Sequence, residues 1–119
     1  MSTVSIHNTE HYQWGEPNAK GQRCDGWHLV KTPTLNIIQE RVPQGCAEVK
    51  HYHQHAEQFF FVLEGIATIE LENQLYELSP LQGLHVPAGK AHLLRNDQEQ
   101  DLIFTVTSTP PSHGDKILV

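Results

Sequence analysis

The sequence predicts an all-β domain, either an antiparallel sandwich or a small barrel, with little or no helix. From Trp27 onward the apolar residues come in short runs of strand length, bounded by Pro, Gly, Asn or Asp. Several runs alternate between two faces with a period of two, as residues 66–71 do. No segment of about ten or more residues repeats its apolar positions with the 3.6-residue period of a helix. Many short strands joined by close turns are typical of sandwiches and barrels.

The predicted strands follow one another closely along the central part of the chain. A hairpin turn is predicted at Glu72-Asn73-Gln74, a short polar segment between two of the runs. A chain of 119 residues has the size of one domain, and a barrel of this size can hold a small ligand at its mouth. The runs predicted as strands are WHLVKT, TLNIIQERV, AEVKHYH, EQFFFVLEG, IATIELE, QLYELS, GLHVP, AHLLRN and DLIFTVTST.

The two ends of the chain differ from this central part. Residues 1–26 are polar and rich in residues that break regular structure, so we expect an N-terminal arm with one short strand near His11–Trp14. Residues 27–119 are then a single barrel domain that ends in the tail STPPSHGDKILV. We expect this tail to lie across the surface or on a partner subunit.

Composition and charge argue against several kinds of partner. The net charge is −6 with neutral histidines, and 8 Lys and Arg residues are too few for the clustered cations that bind nucleic acid. No apolar run approaches the roughly 20 residues that span a bilayer, so we expect no membrane partner. The N-terminal residues do not resemble a secretory signal, and the expected location is cytoplasmic. Cys24 and Cys46 are then expected to be free thiols.

Nine histidines are an unusual number for this length, and three of them alternate along one predicted strand. His51, His53 and His55 would share one face of a regular strand, because successive side chains point to opposite faces. A solvent-facing polar position is the ordinary interpretation of one such histidine. Three imidazoles on one face, beside an aromatic strand, instead indicate a metal site.

The spacing around these histidines resembles the first sequence motif of the cupin superfamily. A second segment, PAGKAHLLRN at residues 87–96, resembles the second cupin motif, Pro-x-Gly-x-x-His-x-x-x-Asn, and contributes His92. Two motifs in the right order make the resemblance specific, and it runs from about Trp27 to Val106. The residues that stand at the intervals of the first motif are Gly45, His51, His53, Gln58 and Gly65.

The resemblance, to a small single-domain bacterial cupin with a His-His-Gln-His site, implies a double-stranded β-helix barrel (a jelly roll) with a divalent transition metal inside. It makes His51, His53 and His92 the imidazole ligands of that metal. Two ligands at alternate positions of one strand and a third from a neighbouring strand leave open positions for water or substrate. Zn or Ni is the first expectation for the metal, with Fe, Mn and Co as alternatives.

The fourth ligand position of the family is usually acidic, and two residues compete for it here. Counting back from Gly65 places it at Gln58, and counting forward from His53 places it at Glu57. The two residues have opposite strand parity, so only one can face the metal. We favour Gln58, whose register also turns Phe60 inward. A neutral amide leaves the full charge of a divalent ion in place, which weakens its affinity and strengthens its Lewis acidity.

The remaining histidines and cations have ordinary interpretations. His55 would lie near the mouth of the barrel, and His28 and His85 are expected to be strand histidines with satisfied hydrogen bonds. No functional role is predicted for Cys46. The cations that could meet a substrate carboxylate, but that we expect to be simply exposed, are Arg41, Lys50 and Arg95.

The opposite face of the aromatic strand is apolar as well. Phe59, Phe61 and Leu63 would point away from the metal and into a core or a subunit interface. Small cupins commonly pair through their sheets, so the resemblance implies a homodimer.

Two classes of function remain open at this point, with a third in reserve. The first is a metal-dependent enzyme, an isomerase, lyase or dioxygenase acting on a small polar or anionic metabolite, with tautomerase-like and oxygenase-like chemistry both open. The second is a non-catalytic module that binds or senses a small molecule at the same metal site, and the third is a purely structural metal. An enzyme should have a further cavity group that moves a proton. No carboxylate of the first motif can do so if Glu57 faces outward.

Overall fold

The structure, a computed structural model, describes residues 3–119, so residues 1 and 2 of the predicted arm lie outside it. Among the described residues there is no helix, which confirms the predicted all-β class, and none therefore that could cross a membrane. The eleven strands are β1 (His11–Trp14), β2 (Cys24–Lys31), β3 (Asn36–Val42), β4 (His51–His53), β5 (Glu57–Glu64), β6 (Ala67–Leu71), β7 (Gln74–Leu78), β8 (Gly83–Val86), β9 (His92–Arg95), β10 (Leu102–Thr109) and β11 (Lys116–Leu118).

These strands form two antiparallel sheets that enclose the core as a double-stranded β-helix. The larger sheet has the order β1-β2-β3-β10-β5-β8 and the smaller one has the order β11-β4-β9-β6-β7. From β7 to β11 each successive strand lies in the other sheet, which produces the jelly-roll path. Both sheets contribute to the core, whose buried members include Ile38, Val42, Phe60, Val62, Ala67, Ile69, Leu94, Leu102, Phe104 and Val106.

Strand β5 shows the predicted alternation of its side chains. Gln58, Phe60 and Val62 are buried, whereas Glu57 and Phe59 are exposed. This pattern matches the register in which Gln58 faces inward and Glu57 faces outward. The exposed aromatic side chains leave the outer face of β5 apolar, and the homodimer that we expected from this face stays a prediction.

The core becomes polar at one end of the larger sheet. Ser108 of β10 stands between Asn36 of β3 and Gln58 of β5 in the strand register. All three side chains are buried. Phe60 is the next inward-facing residue of β5 after Gln58. Its ring meets the His92 ring of the opposite sheet, with the ring centres 6.1 Å apart. The polar end of the larger sheet is thereby close to the smaller sheet's histidines.

A glycine marks the place where the chain leaves β5 and crosses to the smaller sheet. Gly65 is buried and has φ +78°, a backbone conformation that favours glycine. A Cβ atom at this position would lie 2.6 Å from the carbonyl oxygen of Asp101 and 3.1 Å from the Cα of Leu102. Both the conformation and the close approach of the 101–102 backbone require the glycine that ends the first motif.

The predicted N-terminal arm contributes to the larger sheet. Strand β1 forms where the sequence places a short strand, and it pairs with β2 so that Tyr12 lies opposite Gly26. The Tyr12 ring occupies the space of a side chain at Gly26, since a Cβ there would lie 2.4 Å from the ring. Residue 27 lies within β2, and the division of the chain into arm and barrel at that point stays a prediction.

The C-terminal tail is more regular than expected. We expected residues 108–119 to lie across the surface or on a partner subunit, but Lys116–Leu118 form strand β11, which pairs with β4. Just before it, the Asp115 carboxylate accepts hydrogen bonds from the backbone N–H groups of Gln54, His55 and Ala56 at 2.8–3.2 Å. The tail therefore supports the turn between β4 and β5. The predicted hairpin is also present, because β6 and β7 are joined through Glu72-Asn73.

Candidate metal centre

Three buried imidazoles from two neighbouring strands meet inside the barrel. His51 and His53 lie on β4, and His92 of β9 stands directly opposite His51 in the register. One nitrogen of each ring lies within 4.8 Å of one nitrogen of both other rings. The three residues are only 2%, 6% and 1% exposed. Strand β4 ends at His53, so His55 leaves the alternation and is an exposed residue of the following turn.

Backbone hydrogen bonds fix two of the rings. His51 Nδ1 lies 2.6 Å from the carbonyl oxygen of Val49, and His92 Nδ1 lies 2.9 Å from that of Lys90. A carbonyl oxygen only accepts, so each Nδ1 carries the proton and each Nε2 keeps a free lone pair. His92 Nε2 and His53 Nδ1 are buried without any partner. This arrangement is typical of histidines that bind a metal through one nitrogen while the other is held by the protein.

The histidines are neutral at ordinary pH because they are buried. Burial, together with the proximity of the His92 ring, lowers the pKa of both His51 and His53 to about 4. Burial also lowers the pKa of His92. Neutral imidazole is the form that binds a metal ion, so protons compete with a metal only in acid.

Gln58 presents an unpartnered oxygen at the polar end of the larger sheet. Its Nε2 donates a hydrogen bond to Ser108 Oγ at 3.0 Å, which orients the amide. The Oε1 atom is buried and has no hydrogen-bond partner. A buried carbonyl oxygen without a partner is costly unless something else binds it. The structure thus leaves Gln58 with an oxygen free for a ligand, and its role as the fourth metal ligand stays a prediction.

The turn of the second motif is tied to the metal strand. Gly89 has φ +81°, and its N–H donates to the His53 carbonyl oxygen at 2.8 Å. The motif's last residue, Asn96, is fully buried, and its Nδ2 donates to the carbonyl oxygens of Val42 and Gln100. These glycine and asparagine residues hold the backbone that positions the histidines.

A cavity of about 700 Å³ opens beside the histidines, within the size range of small-molecule sites. His51, His53, Gln58 and Ser108 form part of its wall. The predicted arm and the C-terminal tail supply much of the remainder. The lining residues from these two segments are Tyr12, Trp14, Gly15, Glu16, Pro17, Arg23, Ser112, His113, Gly114 and Lys116.

Besides the exposed Glu16, two carboxyl groups that the sequence did not single out also line this cavity. Glu40 shares the inward face of β3 with Ile38 and Val42, and Glu48 precedes β4. Burial raises the pKa of Glu48 to about 7. Burial, followed by repulsion from Glu48, raises the pKa of Glu40 well above its usual value.

The alternation of β3 is the signal that could have identified Glu40. Glu48 lies between Gly45 and His51, within the first motif. The expectation that this motif offers the cavity no carboxylate once Glu57 faces outward therefore overlooked Glu48.

These raised pKa values predict a pH-dependent stability. Between about pH 4.5 and 7 the folded chain binds more protons than the unfolded chain, because the pKa values of Glu40 and Glu48 are raised. The contribution of these two groups to the free energy of unfolding is therefore present in acid and is lost as the pH rises. Relative to a Glu40→Gln, Glu48→Gln variant, the wild-type chain should lose on the order of 1 kcal/mol of unfolding free energy between pH 5 and pH 8. Urea unfolding of both proteins at the two pH values measures the difference.

The exposed Glu57→Gln variant is the control for this measurement and should follow the wild type at both pH values. An unchanged difference between wild type and the double variant across the pH range would contradict the raised pKa values. The lowered pKa values of His51, His53 and His92 make the folded chain more stable as the pH rises, which is the opposite effect. Because the wild type and the double variant share these histidines, the difference between the two proteins cancels this effect.

The other histidines lie where strand histidines were expected. His28 is buried on β2 with its Nδ1 atom 3.1 Å from Asn36 Nδ2, and His85 is exposed on β8 with its Nε2 atom 2.8 Å from Glu57 Oε1. Neither has a nitrogen in the three-imidazole cluster. Cys24 and Cys46 are buried free thiols, as predicted.

The predicted surface cations differ in their contacts. Arg41 bonds Asp25 and Asp101, and Arg95 bonds Asp97. Neither Arg41 nor Arg95 lines the cavity, and neither does the exposed Lys50. Two cations do line the cavity, Arg23 just before β2 and Lys116 of β11, and the sequence singled out neither of them.

The fold and the histidine cluster define a class of protein, a double-stranded β-helix with a three-histidine site that could hold a metal. Comparison with known proteins makes the assignment specific. The chain matches the cupin domain family over residues 38–108, more than half of its length, and it belongs to that family. The match includes all four residues that we predicted as metal ligands.

Individual relatives agree with this assignment. Polyketide synthase CurC of Streptomyces cyaneus is 33% identical over 64 residues, which are 52% of this chain and 42% of CurC, so the chain spans less than half of that relative. The polyketide cyclase RemF of Streptomyces resistomycificus superposes with a TM-score of 0.81 at 20% identity, covering 100% of this chain and 85% of RemF. An uncharacterised double-stranded β-helix protein of Klebsiella pneumoniae has a TM-score of 0.77 at 18% identity, covering 100% and 97%. The two structural matches establish the fold alone.

Proposed function

We propose that this cupin binds a divalent transition metal through His51, His53 and His92, with Gln58 as a fourth ligand, and acts on a small polar or anionic metabolite. The observation that carries the proposal is the meeting of three buried, neutral imidazoles beside a cavity. Zn or Ni is favoured, and Fe, Mn and Co also suit imidazole and amide ligands.

Buried atoms that lack a hydrogen-bond partner support the proposal that these side chains bind a metal. His53 Nδ1, His92 Nε2 and Gln58 Oε1 are each buried without a hydrogen-bond partner. Leaving three such atoms unpaired costs free energy that one cation could offset. A metal bound here would act as a Lewis acid on a substrate oxygen, more strongly beside a neutral glutamine than beside a carboxylate.

The residues that line the cavity support the proposal of a small polar ligand with a negative charge. Lys116 lies in its wall, and Ser112 and His113 add further polar groups from the same tail. An ammonium group beside the three imidazoles favours an anionic group of the ligand at this end. Two similar proteins, CurC and RemF, carry names from polyketide chemistry, which also supports a small-molecule reaction.

The role of Gln58 has a direct test in the two neighbouring residues of β5. A Gln58→Ala variant removes the unpartnered oxygen and should weaken metal affinity roughly tenfold or more. A Glu57→Gln variant, which changes an exposed carboxylate on the other face of the same strand, should leave the affinity unchanged. Competition titration of Zn²⁺ against a chromophoric chelator measures both.

The wild-type chain gives the test of the whole proposal. Elemental analysis of protein purified without chelator should find about one transition metal ion per chain. A chain that contains no transition metal and takes none up from Zn²⁺ or Ni²⁺ solutions would overturn the proposed function. A loss of affinity in Glu57→Gln, with none in Gln58→Ala, would instead move the fourth ligand to Glu57.

A further inference from the structure

Besides the exposed Glu16, the cavity is lined by two carboxyl groups that the proposed metal ligands do not use. Glu40, on the inward face of β3, is only 7% exposed. Glu48 lies in the segment between β3 and β4. Both side chains line the same cavity as His51 and His53, so a small molecule in that cavity can meet the imidazoles and the carboxyl groups.

The two carboxyl groups have different surroundings, which suit different protonation states. Glu48 Oε1 accepts a hydrogen bond from the Leu94 N–H at 3.0 Å, and such a bond favours the ionised form. Glu40 is almost fully buried, and the Trp14 indole N–H beside it only partly offsets the rise in the pKa of its carboxyl group that burial causes. Burial is the largest of these effects, and it favours the neutral form of Glu40.

Mutual repulsion reinforces this difference. Two carboxylates close together in a poorly solvated cavity do not readily ionise at the same time, so such a pair tends to share one proton. The titratable groups that interact with the pair include Tyr12 of β1, Cys24 of β2 and Lys116 of β11. Burial raises the pKa values of Tyr12 and Cys24, which keeps both neutral, and the Lys116 ammonium stabilises a single negative charge.

We propose that Glu48 and Glu40 are the general base and the general acid of an isomerase that moves a proton within a small carbonyl compound bound in this cavity. The inference rests on the proposed function of the metal site and narrows its chemistry. A base and an acid in one cavity are the groups that enzymes need for proton abstraction next to a carbonyl and for its return.

The proposed step balances without an oxidant or a second substrate. The Glu48 carboxylate takes the proton from the carbon next to the carbonyl, and the C–H electron pair forms a C=C bond. The C=O π electrons move to oxygen, which takes the proton of the Glu40 carboxyl group to give an enol. Where the neighbouring carbon carries a hydroxyl group, the enol is an enediol, and the Glu40 carboxylate takes the proton of that hydroxyl as its oxygen forms the new C=O bond. The C=C electron pair then takes the proton from the Glu48 carboxyl group at the former carbonyl carbon, which yields the isomer and restores both side chains. In D₂O the same steps replace the carbon-bound hydrogen by deuterium.

Deuterium exchange tests the inference without knowledge of the natural substrate. The probes are pyruvate and dihydroxyacetone, a 2-oxo acid and a hydroxyketone, incubated in D₂O with the Zn²⁺-loaded chain and followed by ¹H NMR. The wild type should exchange the C–H of at least one probe faster than free Zn²⁺ does. Glu48→Gln should lower that rate by about 10²-fold or more, the usual contribution of a general base.

Three variants separate chemistry from folding. The Glu48→Gln side chain can still accept the Leu94 hydrogen bond through its amide oxygen, so the chain should fold and bind metal like the wild type. Glu48→Asp, which keeps a carboxyl group, should retain more of the exchange rate than Glu48→Gln. Glu57→Gln, on the outer face of β5, should exchange at the wild-type rate.

Each result decides the question. A chain that binds Zn²⁺ but exchanges neither probe faster than free Zn²⁺, or whose Glu48→Gln variant exchanges as fast as the wild type, overturns the inference. Either result leaves the metal site in place. The first favours a binding module without proton transfer, and the second assigns the exchange to a group other than Glu48. A chain that binds no metal overturns the proposed function, and the inference with it.

Discussion

A chain carrying His51→Ala and His53→Ala should purify without bound transition metal and bind added Zn²⁺ at least about a hundredfold more weakly than the wild type. Loss of even an outer partner of a metal ligand can cost that much affinity. Here two of the three clustered imidazoles are removed, and His92 keeps only Gln58 as a proposed co-ligand. Elemental analysis of both proteins, purified in parallel without chelator, measures the loss.

Thermal unfolding gives an independent measure of the same change. A ligand that binds only the folded chain at a concentration of 100 times its dissociation constant adds about 2.7 kcal/mol of stability. Added Zn²⁺ should therefore raise the melting temperature of the wild type and leave that of the double variant unchanged. His85→Ala, at an exposed histidine away from the cluster, is the control. Full metal content in the double variant would place the metal elsewhere in the chain.

A Gly65→Ala variant should lose about 2–5 kcal/mol of unfolding free energy. A residue with a side chain pays roughly 1–2 kcal/mol for the left-handed backbone conformation that Gly65 adopts at φ +78°. The new Cβ would also lie 2.6 Å from the Asp101 carbonyl oxygen, and overpacking of this kind typically costs a further 1–3 kcal/mol. Equilibrium urea unfolding of the two proteins measures the difference.

Gly21→Ala is the matched control for this prediction. Gly21 has φ +77°, almost the same conformation, but a Cβ there would meet nothing within 4 Å. This variant should therefore show the conformational cost alone. The excess loss in Gly65→Ala is then the cost of pushing the 101–102 backbone away from β5. Equal losses in both variants would mean that this backbone shifts without penalty.

The parts of the fold that follow from local rules could be predicted from the sequence. The alternation in EQFFFVLEG correctly separates buried Gln58, Phe60 and Val62 from the exposed positions between them, because strand parity is a local property. The two spaced motifs likewise identified the family and the three histidines that meet. His55 belongs to the same alternating pattern but leaves the cluster, because β4 ends at His53.

The remainder of the candidate site depends on contacts between distant segments, which no local pattern encodes. Asp115 was not predicted to support the turn after β4, some 60 residues earlier in the chain. Glu48 became notable only through the Leu94 N–H of another strand and the burial that comes with it. Tyr12 and Trp14 line the cavity because β1 pairs with β2, where Gly26 leaves room for the Tyr12 ring.

The packing of Tyr12 on Gly26 joins the N-terminal strand to the larger sheet, and this strand supplies part of the cavity wall. The proposed site residues and much of that wall therefore come from different parts of the sequence. The proposed metal ligands and the carboxyl groups of the proposed base and acid lie within residues 38–108, the part shared with the family. The cavity wall from β1 and the segment after it, together with the tail from Ser112 to Lys116, lies outside that part. Exchange of these end segments between related chains could change which molecule enters while leaving the proposed metal ligands and both carboxyl groups intact. Under the proposed function, residues that select a ligand and residues that act on it would then lie largely in different parts of the sequence.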